Sequence, residues 1–272
     1  MKLDSAFGLR DRVCVVTGGG SGIGRGIALA LAREAAKVVI LDRDLPAAQE
    51  TLALVEQDGA QGIALSCDTS DAGSVVAAQA AMATRLGDAD LLVNNAGVVG
   101  GGTLADLSIA DWNALLAVNL TGYFLCAQIF GAPMRQRGAG AIVHVSSITA
   151  RETMGGIGAY GIAKAGVTML SRSLAAEWGP DGVRSNVVHP GLIQTPMTQA
   201  SYDDPAVAQG RAAAVPLGRV GQPDDIAQTV LFLASPRAAY INGAELLVDG
   251  GLSPNLIALV PKDVPKDGPR AG

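Results

Sequence analysis

Short runs of branched aliphatic residues alternate with longer Ala- and Leu-rich segments along the whole of this 272-residue chain. RVCVVTG (12–18), KVVILD (37–42), GIALSCD (62–68), DLLVNNAG (90–97), AIVHVSS (141–147), VRSNVVHPG (183–191) and AELLVDGG (244–251) read as strands. Their apolar positions are continuous rather than alternating, as in strands covered on both faces. The pattern predicts helices near 22–35, 45–58, 71–86, 111–137, 158–178 and 222–234. Such alternation restricts the chain to an α/β fold: a doubly wound parallel sheet of seven strands, with helices on both faces and right-handed crossovers.

No internal repeat or dividing linker interrupts the rhythm, so residues 1–260 are expected to form a single domain. Residues 192–221 show no strand pattern and are long for a connection, the mark of a substrate lid. The Pro-rich, charged end PKDVPKDGPRAG (261–272) reads as a flexible tail.

The net charge of −5 offers no basic surface to nucleic acid or to an anionic membrane. No apolar run approaches the roughly 18 residues of a membrane span. The N-terminal MKLDSAFGLRDR has no apolar signal region. Cys14, Cys67 and Cys126 lie far apart without metal-ligand spacing, so they read as core residues of a reduced, cytoplasmic protein, and no metal is expected.

VCVVTGGGSGIGRGIALALA is a strand, a glycine-rich turn and a helix, with Gly18, Gly22 and Gly24 in a G-x-x-x-G-x-G pattern. Without Cβ atoms to obstruct the turn, the free N–H groups of the helix start can face a pyrophosphate. The same turn can also merely join a strand to a helix. Asp42 closes the second strand 18 residues after Gly24, near the interval of a carboxylate that binds adenosine ribose hydroxyls. Its alternative role is the N-cap of the next helix.

Tyr160 and Lys164 sit one turn apart inside the apolar stretch AYGIAKAGV (159–167). Both side chains can bury their stems and send polar tips to water, so the pair alone carries no chemistry. The chain around it does. TGGGSGIG (17–24), NNAG (94–97), Asn119 within VNLTG, Ser147 thirteen residues before Tyr160, YGIAK (160–164), HPGLIQTPM (189–197) and VDGG (248–251) follow one another in order.

On these motifs, from about residue 12 to 251, the chain resembles the short-chain dehydrogenase/reductase family. The resemblance implies a Rossmann-type sheet, NAD as cofactor, and hydride transfer between a secondary alcohol and a ketone, with Tyr160 as general acid/base. A free tyrosine, with a pKa of about 10, is a poor base near neutrality. A neighbouring ammonium favours the phenolate, so Lys164 is expected to tune Tyr160. The resemblance implies that Lys164 also bonds the nicotinamide ribose, that Ser147 polarises the substrate oxygen, and that Asn119 holds a relay water.

By the same carry-over the cofactor lies against Gly18, Ser21, Gly22, Ile23 and Gly24 of the loop, and against Asn95, Ala96 and Gly97. Asp42 faces the adenosine ribose and Asp68 the adenine, although Asp68 also reads as a helix cap. Pro190, Gly191, Ile193 and Thr195 cover the nicotinamide, with Tyr160 and Lys164 beside it. Asn94 is expected to brace the sheet, and His144 and His189 to be structural. Asp42 favours NAD over NADP, with Ser21 where NADP-using relatives often carry a basic residue. Arg43, its strand neighbour, is expected to point away from it. Two rivals remain: an NADPH-dependent 3-oxoacyl-type reductase with identical catalytic residues, and a non-catalytic NAD-binding regulator.

The substrate is expected to be a small alcohol or ketone, walled by Val98, Val99, Thr149, Met154, Leu192, Met197 and Tyr202, with Arg151 and Glu152 nearby in sequence. Helices 111–137 and 158–178 are apolar on more than one face, and the resemblance implies a homotetramer with D2 symmetry. There are two departures from the family pattern. EAAKV stands where many relatives end the first helix with Gly near position 35, and NLIALV (255–260) extends the apolar chain for packing on the domain or a neighbouring subunit.

Overall fold

In the first strand, β1 (Val13–Thr17), Cys14 and Val16 point to one apolar core while Val13 and Val15 point to another. The computed structural model describes residues 6–255, and the same division runs across its whole sheet. The further strands are β2 (Lys37–Asp42), β3 (Gly62–Ser66), β4 (Leu91–Asn94), β5 (Gly140–Val145), β6 (Val183–Pro190) and β7 (Glu245–Val248). Seven parallel strands stand in the order β3-β2-β1-β4-β5-β6-β7. The chain therefore winds outward from β1 to β3, then returns past β1 to start β4. That reversal opens a crevice beyond the carboxyl ends of β1 and β4.

The helices are α1 (Gly22–Arg33), α2 (Leu45–Gln57), α3 (Ala72–Leu86), α4 (Ile109–Leu116), α5 (Gly122–Arg137), α6 (Tyr160–Trp178), α7 (Pro205–Ala214) and α8 (Pro223–Ala234). Ile27 and Leu31 of α1, Val55 of α2 and Val230 of α8 fill one core. Met82 of α3, Phe130 and Met134 of α5 and Leu174 of α6 fill the other. Cys14, Cys67 and Cys126 are buried and unpaired.

Three sequence expectations need correction. The helix expected over 111–137 is α4 and α5 joined by a π-helical turn, Ala117–Thr121. By length and composition this stretch, 109–137, could cross a membrane, with a mean hydropathy of 1.5 over 18 residues, against the expectation that no such run exists. Here Tyr123, Cys126, Ala127, Phe130 and Met134 are buried in the protein's own interior. The segment 192–221, read as irregular, holds a 3-10 turn (Pro196–Ser201) and α7. Asp204 caps α7 by accepting from the Ala206 amide, and Pro205 opens its first turn, a start signal present in the sequence. A bridge between Ile193 and Gly221 pins the two ends of the segment together. The NLIALV segment beyond Asn255 and the 261–272 tail lie outside the described residues.

At the end of α1 the chain carries alanine at position 35. Ala35 adopts the left-handed conformation, with φ of 56°, where a glycine would be unstrained. The Ala36 amide reaches back to the Leu31 carbonyl at 3.2 Å, so the close is an ordinary helix stop built with the wrong residue. The left-handed region costs an L-residue roughly 1–2 kcal/mol, while glycine adds unfolded-chain entropy worth about 0.4–1 kcal/mol. Ala35→Gly is therefore expected to stabilise the protein by up to about 1 kcal/mol. Urea unfolding reads this directly, and a lower midpoint for the variant would contradict it.

Candidate active site

The carboxyl ends of β1, β2, β4, β5 and β6 open into one cavity of about 650 Å³. Gly18 and Gly22 turn at its edge with φ of 62° and 52°. A Cβ on Gly18 would lie 2.8 Å from Ala96 Cα, so only glycine lets the loop lie against the β4 end. Ser21 precedes α1 without capping it by its side chain, which leaves both its hydroxyl and the helix's first amides to the cavity. Such a cradle fits a cofactor pyrophosphate. Gly24 lies behind the cavity lining, where a Cβ would come 2.1 Å from the Gly18 carbonyl, so its glycine lets helix and loop pack closely.

At the adenosine end, Asp42 lines the cavity and accepts from the amides of Gly20 at 2.9 Å and Asp44 at 3.0 Å. The N-cap of α2 is Asp44, so Asp42 is released from that alternative role. Asp68 also lines the cavity, and the cap of α3 falls to Asp71. Hydrogen bonds from the Ser70 hydroxyl and amide hold the Asp68 carboxyl below its usual range, with a smaller contribution from Arg43. Arg43 lines the same cavity as Asp42, which overturns the expectation that it points away.

At the other end stand Ser147, Tyr160 and Lys164. Ser147 Oγ accepts from the Thr149 amide at 3.1 Å and from the Thr149 hydroxyl at 2.9 Å, which leaves its own hydrogen to give. Its backbone carbonyl faces His189 Nδ1 at 3.0 Å, and that histidine is buried as a structural element. Lys164 Nζ donates to Tyr123 Oη at 2.8 Å and to the Val145 carbonyl at 3.0 Å, and lies 5.7 Å from the centre of the Tyr160 ring.

Lys164 Nζ is thus turned to Tyr123 and the end of β5 rather than bonded to the Tyr160 hydroxyl. Burial pushes the Tyr160 phenol up, and the opposing pull comes from a hydrogen bond with Ser147. Burial likewise pushes the Lys164 ammonium down to about 7. For both groups burial, which disfavours the charged form, is the leading cause.

Asn119 sits in the π-helical turn, buried and outside the cavity lining. Its amide donates to the Val98 carbonyl at 2.9 Å and the Leu115 carbonyl at 3.1 Å, and its Oδ1 accepts from the Val98 amide at 3.2 Å. Its side chain ties the β4 loop to the helix. Asn94 braces the sheet as expected, donating to the Tyr123 carbonyl at 2.9 Å. His144 is buried between Asn94 and Ser185, and burial drives its pKa down to about 3.

The remaining cofactor candidates, Ile23, Asn95, Ala96, Gly97, Pro190, Gly191, Ile193 and Thr195, all line the cavity. So do all seven residues expected to wall the substrate, whereas Arg151 and Glu152 do not. Tyr123 was missed, although its place one turn after Asn119 in VNLTGY was a usable signal. Arg211 of α7, also missed, went unseen because the helix carrying it did.

A doubly wound sheet with a glycine cradle at its reversal point defines a dinucleotide-binding protein. A family model described as enoyl-(acyl carrier protein) reductase matches residues 18–253. D-threitol dehydrogenase of Mycolicibacterium smegmatis is 40% identical over 251 residues, 92% of this chain and 96% of that protein. A solved short-chain type dehydrogenase/reductase of Mycobacterium marinum superposes with a TM-score of 0.86 at 30% identity, over 92% of this chain and 98% of that one. A third relative, solved from Beutenbergia cavernae with NADP bound at low occupancy, is 34% identical, has a TM-score of 0.85 and covers 90% and 98% of the two chains. The chain belongs to the short-chain dehydrogenase/reductase family, and with it to the oxidoreductases that use a nicotinamide cofactor.

Proposed function

We propose that this protein is an NAD(H)-dependent dehydrogenase that interconverts a secondary alcohol and its ketone, with Tyr160 as general acid/base. The observation that carries the reading is that Ser147 and Tyr160 line the same cavity as the glycine cradle. The loop after β1, Asp42, Asp68 and the segment from Pro190 to Thr195 would hold the cofactor, which would supply the acceptor or donor of hydride. Tyr160 takes or gives the proton at the substrate oxygen, and Ser147 gives that oxygen a hydrogen bond. Lys164 holds the ribose near the nicotinamide, and Asn119 fixes the loop that carries Gly97. The relative acting on D-threitol, by its name, supports an alcohol substrate.

Tyr160→Phe is expected to lower turnover at least about 100-fold while leaving NAD affinity within a few-fold, because only the proton-transferring group is lost. Turnover above about a hundredth of wild type would remove Tyr160 from this role.

The choice of NAD rests on Asp42, whose carboxylate accepts hydrogen bonds from a ribose hydroxyl and repels a 2′-phosphate. At an effective dielectric of about 20, two unit charges 4 Å apart interact by roughly 4 kcal/mol, and a third of that is about tenfold. An NADPH-dependent acyl reductase is the second reading, favoured by Arg43 lining that end of the cavity. The account expects kcat/KM with NAD at least about tenfold above NADP, narrowed or reversed in Asp42→Ala. Equal efficiency in the wild type would show that Arg43 governs the pocket.

The assembly proposed is a homotetramer. Phe124 of α5 and Ile162 and Met169 of α6 leave large apolar side chains exposed, as a subunit interface would use. Sedimentation velocity at micromolar concentration should find four copies, and a monomer would refute it.

A further inference from the structure

To the lining of the cavity the lid contributes Tyr202, just after its 3-10 turn, and Arg211, in the last turn of α7. The Arg211 guanidinium lies over the Tyr202 ring, 4.9 Å from its centre. The hydroxyl of that same ring is buried and has no hydrogen-bond partner among the described residues. A buried hydroxyl left unpaired is costly, which makes it a group built to meet something.

The guanidinium is half-buried and always charged, and among the described residues it forms no ion pair. Acidic neighbours are at hand but engaged. Asp204 is spent on capping α7, and Asp203 accepts from Gln199 at 3.0 Å. Arg219, at the far end of the lid, shows the alternative, since both its terminal nitrogens are held by Asp225 at 2.7 Å. Arg211 alone of these two turns into the cavity that holds Ser147 and Tyr160.

We propose that Tyr202 and Arg211 form an anion subsite of the lid, and that the substrate is a hydroxy acid or oxo acid whose carboxylate they bind. The guanidinium presents paired N–H donors to the two carboxylate oxygens, and the Tyr202 hydroxyl donates a further hydrogen bond. The carboxylate anchors the acid while its carbinol or carbonyl carbon lies toward Tyr160. The assignment rests on the dehydrogenase reading for its substrate, but the subsite itself can be tested by binding alone.

The test pairs 3-hydroxybutanoate, 4-hydroxypentanoate and 5-hydroxyhexanoate with their methyl esters, which share the carbon skeleton without the charge. The full-length enzyme is expected to prefer the best acid over its ester by at least about tenfold in kcat/KM, mostly through KM, with the preference shrinking as salt rises. Arg211→Gln should bring the acid-to-ester ratio close to one, Arg211→Lys should keep part of it, and Tyr202→Phe should weaken it a few-fold. The cofactor dissociation constant, read by fluorescence, should be unchanged in Arg211→Gln. Calorimetry of pentanoate against pentan-1-ol on the cofactor complex reads the subsite without turnover, so failure of the redox reading would leave this measurement standing. Equal acid and ester efficiency together with no pentanoate preference would overturn the subsite. An acid preference that survives Arg211→Gln would do the same, and so would a loss of cofactor affinity in that variant, since the anion would then be the cofactor's own.

Discussion

The burial of the Lys164 ammonium is the constraint on which the arrangement of the site depends. The side chain is 3% exposed, and a charge so placed must be paid for by directed hydrogen bonds. The Val145 carbonyl at the end of β5 supplies one and Tyr123 of α5 the other, so a single ammonium ties strand and both helices together. Tyr123 in turn donates to the same Val145 carbonyl at 2.8 Å, and Ser146 donates to the Lys164 carbonyl at 2.9 Å. With α6 fixed in this way, Tyr160 at its first turn has one place to go, the cavity beside Ser147.

The same burial explains the protonation states around it. His144 stays neutral because it is enclosed and because the Lys164 charge disfavours a second cation. Burial favours the phenol form of Tyr160 and lowers the Lys164 pKa to about 7. A mechanism that begins from this state begins with a proton on Tyr160 rather than with a phenolate.

The strands were legible because apolar continuity survives any choice of partner, and the order of the motifs carried the cavity lining with it. What failed did so for local reasons. α7 was hidden because none of its residues is buried, so no apolar stripe marks it, although Asp204 and Pro205 mark its start. Arg43 broke the alternation rule because it follows the last residue of β2, where the strand's pleat no longer sets direction. Helical spacing and the order of the motifs together set Lys164 beside Tyr160. Spacing says which residues share a stripe, but not which acceptor on the neighbouring strand lies nearer.

The tyrosinate absorbance of the cofactor-free protein, titrated with pH and compared with Tyr160→Phe, tests that central point most directly. If burial governs the site, the difference between the two proteins shows no tyrosinate from Tyr160 below about pH 10, its ordinary range. A tyrosinate that appears below pH 9 in the wild type and is missing in Tyr160→Phe would show that the ammonium controls the phenol after all, contradicting the account.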